Sequence, residues 1–136
     1  MSFVKFLFRE GSSILFALFL LAFVYLTPEQ GFFPHTTGGL FFMTLLCLGY
    51  LALQMGMAAF AQVGHDKPLL DLFFSLIPMF ALFGIVLLAA IGQVALSGFH
   101  VYCLIIAGLV TVMDVIFNTQ VLFKMNRLAT DMVQMR

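Results

Sequence analysis

Four long runs of apolar residues dominate the sequence, and short, more polar segments separate them. The runs cover approximately residues 10–26, 40–62, 69–96 and 101–123. A helix that crosses a hydrocarbon core of roughly 30 Å needs about 17 to 25 such residues, so each run is long enough. The ~10-residue alternation of polar and apolar positions that is typical of membrane barrels is absent from the sequence. The pattern therefore predicts an all-α integral membrane protein, a bundle of four transmembrane helices.

The segments between the runs are short and contain turn formers. Pro28 ends the first run, while Asp66 and Pro68 suit the cap and the first turn of the third helix. Because a short connection keeps the ends of two helices close, residues 63–68 predict that the second and third helices are antiparallel neighbours. Residues 97–100 predict the same relation for the third and fourth helices.

The C-terminal residues continue a helical apolar pattern beyond the fourth run. Apolar side chains recur there at three- and four-residue spacing: Leu122, Met125, Leu128, Met132 and Met135. This predicts an amphipathic helical extension over residues 122–136. In one interpretation the extension lies on lipid headgroups. In the other it docks a partner helix through Met125, Leu128 and Met132, flanked by Lys124 and Arg127.

Composition supports lipid as the surrounding solvent. The chain has 136 residues, of which 63% are hydrophobic and 9% are charged, whereas a soluble domain carries about 25% charged residues. The formal net charge is zero, which gives no electrostatic footprint for nucleic acid. The sequence contains no nucleophile–base motif, phosphate-binding loop or C-x-x-C pair. We therefore expect a single membrane domain over residues 1–136 that is not an enzyme and needs no cofactor.

Basic residues predict the orientation. They lie before the first run, between the second and third, and after the fourth: Lys5, Arg9, Lys67, Lys124, Arg127 and Arg136. Since Lys and Arg are retained on the cytoplasmic side, we expect both termini and the middle connection to face the cytoplasm. The membrane would be a bacterial inner membrane. The N-terminal run resembles a signal peptide but lacks a small-residue cleavage site, so we interpret it as an uncleaved helix.

Candidate chemistry lies on one face of the fourth helix. Its more polar side chains fall within roughly 80° of arc: His100, Cys103, Ala107, Thr111, Asp114 and Asn118. The second helix has a matching stripe: Cys47, Tyr50, Gln54, Ala58, Ala61 and His65. Because both helices run inward and Gln54 and Asp114 lie at a similar depth, we expect Gln54 to donate a hydrogen bond to Asp114. An ionised carboxylate at that depth costs on the order of 3 kcal/mol, so it must face the bundle interior.

Two interpretations of this intramembrane cluster of Asp114, Asn118, Gln54 and Thr111 remain open. A hydrogen-bonded Asp114 would join helices, each bond contributing about 0.6–2 kcal/mol. Alternatively, Asp114 is a proton or cation site in a transport path. A metal site formed by His100, Cys103 and His35 is a more remote alternative. A disulfide between Cys47 and Cys103 is not expected, because they lie at different depths.

The expected function follows from the small mass outside the membrane. We interpret the chain as a small integral subunit of a larger inner-membrane complex, with a structural or assembly role. Its partners would be other integral membrane subunits and the bilayer, or further copies of itself in a homo-oligomer. The alternative is a small oligomeric ion or proton channel or transporter that uses Asp114.

Overall fold

Every regular element in the described residues, 11–26, 36–60 and 68–134 of this computed structural model, is a helix. The helices are α1 (Gly11–Leu26), α2 (Thr37–Phe60), α3 (Pro68–Ala90) and α4 (Gly98–Gln134). The all-helical prediction with four helices is thus confirmed. By length and composition, α2, α3 and α4 are long and apolar enough to cross a membrane, and α1 is a shorter apolar helix of 16 residues.

The direction of the helices follows from their side-chain contacts. Ser12 in α1 is hydrogen-bonded to Gln54, whereas Phe16, one turn later, stacks on Tyr50, one turn earlier. The first helix is therefore antiparallel to α2. It is also antiparallel to α4, because Phe23 near its end packs against His100 near the start of α4, with ring centroids 5.4 Å apart. Consequently α2 and α4 run parallel, which is the relation that the sequence predicted.

The packing of the helices corrects one sequence prediction. Among the described residues, the closely packed pairs are α1 with α3, α2 with α4, and α3 with α4. The last pair was predicted, but the predicted pairing of α2 with α3 is wrong. A short connection restricts only the distance between two helix ends, and the polar stripe of α2 faces α4 instead. The connection itself, with the predicted cap Asp66, lies outside the described residues.

The end of α3 also differs from the prediction, which extended the helix to residue 96. Gly92 has a φ of +76°, a left-handed conformation that glycine adopts without steric cost. The amides of Gly92 and Gln93 donate to the carbonyls of Ala89 and Leu88, at 3.0 and 2.9 Å. This is the Schellman arrangement that ends a helix. The helix therefore ends at Ala90, before the apolar run does.

The start of α4 is defined by a side-chain cap. The Ser97 hydroxyl accepts a hydrogen bond from the backbone amide of His100 at 3.4 Å, the position that an N-cap serine uses. The helix therefore begins at Gly98, three residues before the predicted start. It then continues without interruption for 37 residues, so no break separates the predicted fourth helix from its predicted extension.

The outer surface of the helices is more apolar than that of a soluble bundle. Large apolar side chains such as Phe41, Phe80 and Leu109 are exposed on the outer faces of the helices. Polar residues are buried between them: Ser13, Gln54, Ser75, His100, Thr111 and Asp114. Exposed apolar area of this extent is expected where lipid, rather than water, contacts the protein.

Candidate functional site

Asp114 is the centre of the candidate site. It lies 16 residues into α4 and is only 1% exposed. The Tyr50 hydroxyl, on α2, donates a hydrogen bond to Oδ2 of Asp114 at 2.9 Å. The Asn118 side-chain amide, one turn further along α4, donates to Oδ1 at 3.1 Å. Each carboxylate oxygen thus has its own donor, as a buried acidic group requires.

A chain of hydrogen bonds continues from Tyr50 to α1. The oxygen atoms of the Tyr50 and Ser13 hydroxyls are 3.2 Å apart. Nε2 of Gln54 donates to Ser13 at 3.1 Å and to Ser12 at 2.9 Å. We refer to Ser12, Ser13, Tyr50, Gln54, Asp114 and Asn118 as the polar network. It connects α1, α2 and α4 at the end of the bundle where α1 begins.

When Asp114 is ionised, the donor of each hydrogen bond from Gln54 to Asp114 can be assigned in only one way. The single hydrogen of the Tyr50 hydroxyl goes to Asp114, so Ser13 must donate to Tyr50. Ser13 in turn accepts from Gln54. If the carboxyl is instead protonated on Oδ2, it donates to Tyr50, and Tyr50 donates to Ser13. The same heavy-atom positions therefore accommodate both protonation states of Asp114.

The polar network contains three of the four cluster residues that the sequence predicted. Asp114 and Asn118 are in contact, but Gln54 donates to the serines of α1, and the predicted bond from Gln54 to Asp114 is replaced by the bond from Tyr50. Thr111 is fully buried on the same face, yet its hydroxyl donates to the Gly108 carbonyl of its own helix at 2.9 Å. Thr111 is therefore a packing residue beside the network.

Sequence reasoning missed the contribution of α1. Ser12 and Ser13 lie within the first apolar run, but the predicted polar cluster does not include them. Two adjacent serines in an otherwise apolar helix are a usable signal, because each must find a hydrogen-bond partner away from water. In the structure the partner of both is Gln54.

The described residues offer no grouping of three or more His, Cys, Asp or Glu side chains that could hold a metal ion. Nδ1 of His100 is 2.7 Å from the Ser97 hydroxyl oxygen, and the ring packs on Phe23. Cys47 and Cys103 are free and buried. His35, the third member of the metal alternative, lies outside the described residues, as do Ala61 and His65 of the α2 stripe.

The C-terminal part of α4 forms a second candidate site, which we call the tail (residues 121–134). Tyr50 lies beside Asp114, and from there α2 continues for 10 residues (50 to 60) and α4 for 20 (114 to 134). At 1.5 Å per residue, α4 therefore extends about 15 Å beyond Phe60, the last described residue of α2.

The predicted docking residues all lie on this tail. Lys124 and Arg127 are exposed, and Met125 is partly exposed. Leu128 is 39% exposed, and Met132 also lies within α4. Seven residues separate Asn118 from Met125, so both lie on nearly the same face, the one that α4 turns toward α2 within the bundle. The apolar face of the tail thus continues the buried face of α4 beyond the described part of α2.

The two sites differ in what they can do chemically. The polar network can bind or release a proton, and the tail can bind another protein segment through apolar and charged side chains. Comparison of the chain with known protein families, with curated proteins and with solved structures finds no match.

Proposed function

We propose that this protein is a small integral membrane subunit with a structural or assembly role in a larger membrane complex. The observation that carries the proposal is the tail of α4. It is helical, extends about 15 Å beyond Phe60 of α2, and presents both apolar and charged side chains. A helix with an apolar face outside the bundle gains stability when another helix covers that face.

The arrangement inside the bundle agrees with this role. Both oxygens of Asp114 have donors from the same chain, so the carboxylate needs no partner subunit to satisfy it. The outer helix faces, with exposed side chains such as Phe80 and Phe83, are available to lipid or to other membrane helices. Partner subunits would thus bind through the outer faces and the tail, and the polar network would hold the bundle together.

We further propose that all four helices cross a bacterial inner membrane and that both termini lie on its cytoplasmic side. The one-sided placement of basic residues supports this orientation. A helix of 16 residues is about 24 Å long, which is short for a hydrocarbon core of roughly 30 Å. Local thinning of the bilayer or flanking polar residues would accommodate the difference.

The role of the tail can be tested by comparing two variants during affinity purification from membranes in mild detergent. Met125→Ser combined with Leu128→Ser removes apolar side chains from the docking face. Thr130→Ala, on the opposite face of the same helical turns, is the matched control. We expect stoichiometric partner proteins to co-purify with the wild type and the control but not with the double variant. Equal recovery of partners with all three proteins would contradict docking through the tail.

A second candidate function is transport of a proton or cation in a small oligomer. The hydrogen-bonded chain from Asp114 to Ser12 favours it, because such a chain links the buried carboxylate to the first turn of α1. Asp114→Asn keeps the shape of the side chain but removes its charge. We expect this variant to lose ion flux in proteoliposomes while it keeps its oligomeric state in gel filtration. Normal flux in the variant would end the transport hypothesis.

A further inference from the structure

The groups around Asp114 distinguish between two kinds of cation. Bound Na⁺ or Ca²⁺ requires several oxygen atoms with lone pairs directed at the ion. Around Asp114 the arrangement is the opposite, because the Tyr50 hydroxyl and the Asn118 amide direct hydrogens at the carboxylate. Each carboxylate oxygen accepts a hydrogen bond from one of these donors.

Residues of the polar network further from Asp114 also direct hydrogens toward it. Gln54 directs both hydrogens of its amide toward Ser12 and Ser13. With Ser13 donating to Tyr50, every assigned hydrogen between Gln54 and Asp114 points toward the carboxylate. If the Tyr50 hydroxyl turned, it would offer a metal ion beside Asp114 one further oxygen lone pair, but the Asn118 amide would still direct a hydrogen at the carboxylate. These groups therefore do not supply the several oxygen ligands that a metal ion requires. A proton requires only the carboxylate oxygen itself and a neighbour that can change from donor to acceptor, and the Tyr50 hydroxyl is such a neighbour.

We infer that Asp114, Tyr50 and Ser13 form a proton-binding site that excludes metal cations, which deepens the second candidate function by naming its cation. An acid in the water phase donates the proton to Oδ2 of Asp114. The hydrogen of Tyr50 then turns toward Ser13, and that of Ser13 turns away from Tyr50. No other covalent bond forms or breaks. Release of the proton reverses these rotations.

Among the residues that the structure describes, few other groups that titrate lie near the site. From α2 the titratable group that faces Asp114 is Tyr50, and the described part of α1 contributes only the hydroxyls of Ser12 and Ser13. On α4 the nearest charged residue along the helix is Lys124, ten positions further on. On α3 the charged position is Asp71, in the first turn. The proton-binding step is thus centred on the Asp114 carboxyl.

Infrared difference spectroscopy on the full-length protein in lipid nanodiscs tests this inference. A step in pH should produce the C=O stretching band of a protonated carboxylic acid. We expect Asp114→Asn to remove that band, and Asp131→Asn, at an exposed position on the tail, to leave it unchanged. Tyr50→Phe keeps the ring that stacks on Phe16 but removes the hydrogen bond, so the band should persist at a shifted frequency.

Replacing choline chloride by NaCl should leave the pH dependence of the band unchanged. Competition between Na⁺ and the proton would overturn the inference, and so would a band that persists in Asp114→Asn or stays at the same frequency in Tyr50→Phe. The infrared measurement tests the proton-binding site, and the flux measurement tests proton transport, so the two proposals can fail independently. A band assigned to Asp114 together with wild-type protein that carries no flux would support the proton site and reject transport.

Discussion

At the scale of single residues, the Tyr50 side chain has two separable roles. Its ring stacks on Phe16 with centroids 4.1 Å apart, and its hydroxyl lies between Ser13 and Asp114. The stacking contributes apolar contact, whereas the hydroxyl satisfies a buried carboxylate. A substitution that removes only the hydroxyl therefore measures the polar network without creating a large cavity.

We predict that Tyr50→Phe lowers the free energy of unfolding by about 1–2 kcal/mol, because it leaves an oxygen of Asp114 without its donor. Unfolding by SDS in mixed micelles measures this value. Tyr102→Phe is the matched control, since Tyr102 is exposed on the outer face of α4. Equal losses in the two variants would mean that the hydroxyl of Tyr50 contributes nothing specific.

The choice of Tyr50 over Gln54 as the partner of Asp114 could not be read from the sequence. Helical periodicity placed both side chains on the face predicted to meet α4. In the structure Tyr50 contacts Asp114 of α4, whereas Gln54 is hydrogen-bonded to the serines of α1. The axial offset between two helices is a different matter, because it depends on packing across the whole interface. Counting residues from predicted helix ends carries an error of about one turn, roughly 5.4 Å. Tyr50 and Gln54 are separated by a similar distance, since four positions correspond to about 6 Å along a helix.

At the scale of elements, the sequence predicted the helices better than their ends. Apolar runs of this length leave little alternative to helices in lipid. The end of α3 was missed because the run Ile91–Leu96 stays largely apolar, whereas the chain turns at Gly92. A glycine inside an apolar run is compatible with both a helix and a helix end. Only the left-handed conformation of Gly92 distinguishes the two.

Gly92 and Gly49 lie in different backbone environments, so their replacement by alanine should affect stability differently. Gly92→Ala forces a β-carbon into a left-handed conformation, and we expect a loss of about 1–2 kcal/mol. Gly49→Ala lies within α2, where an added β-carbon meets no atom within 4 Å, so it should be neutral or stabilise by up to ~1 kcal/mol. Thermal unfolding in detergent measures both. Destabilisation by Gly49→Ala that equals the effect at Gly92 would contradict the assigned helix end.

At the scale of the whole molecule, the proposed topology places the turn after α3 and the tail of α4 on opposite sides of the membrane. Gln93 and Thr130 are exposed in these two segments. We predict that a membrane-impermeant maleimide labels Gln93→Cys in intact cells and Thr130→Cys only in inverted vesicles. The wild type, with both cysteines buried, provides the background.

An epitope at the N-terminus completes this topology test. It should be protected in intact cells together with Thr130→Cys, because four spans return the chain to its starting side. Access to the epitope from outside, with Thr130 still inside, would show three spans and would reject a transmembrane α1. Labelling of Gln93→Cys and Thr130→Cys from the same side would reject a transmembrane α4.

The continuity of α4 has a mechanical consequence for the whole molecule. Asp114 and Leu128 are 14 positions apart on one helix, about 21 Å, and no glycine or proline lies between them. Sharp bends in helices occur mainly at such residues, so this segment has no built-in hinge. A binding partner that tilts the tail by about 10° would move Leu128 by about 4 Å and apply the same rotation at Asp114. A movement of the tail would thus be transmitted along α4 to the hydrogen bond between Tyr50 and Asp114.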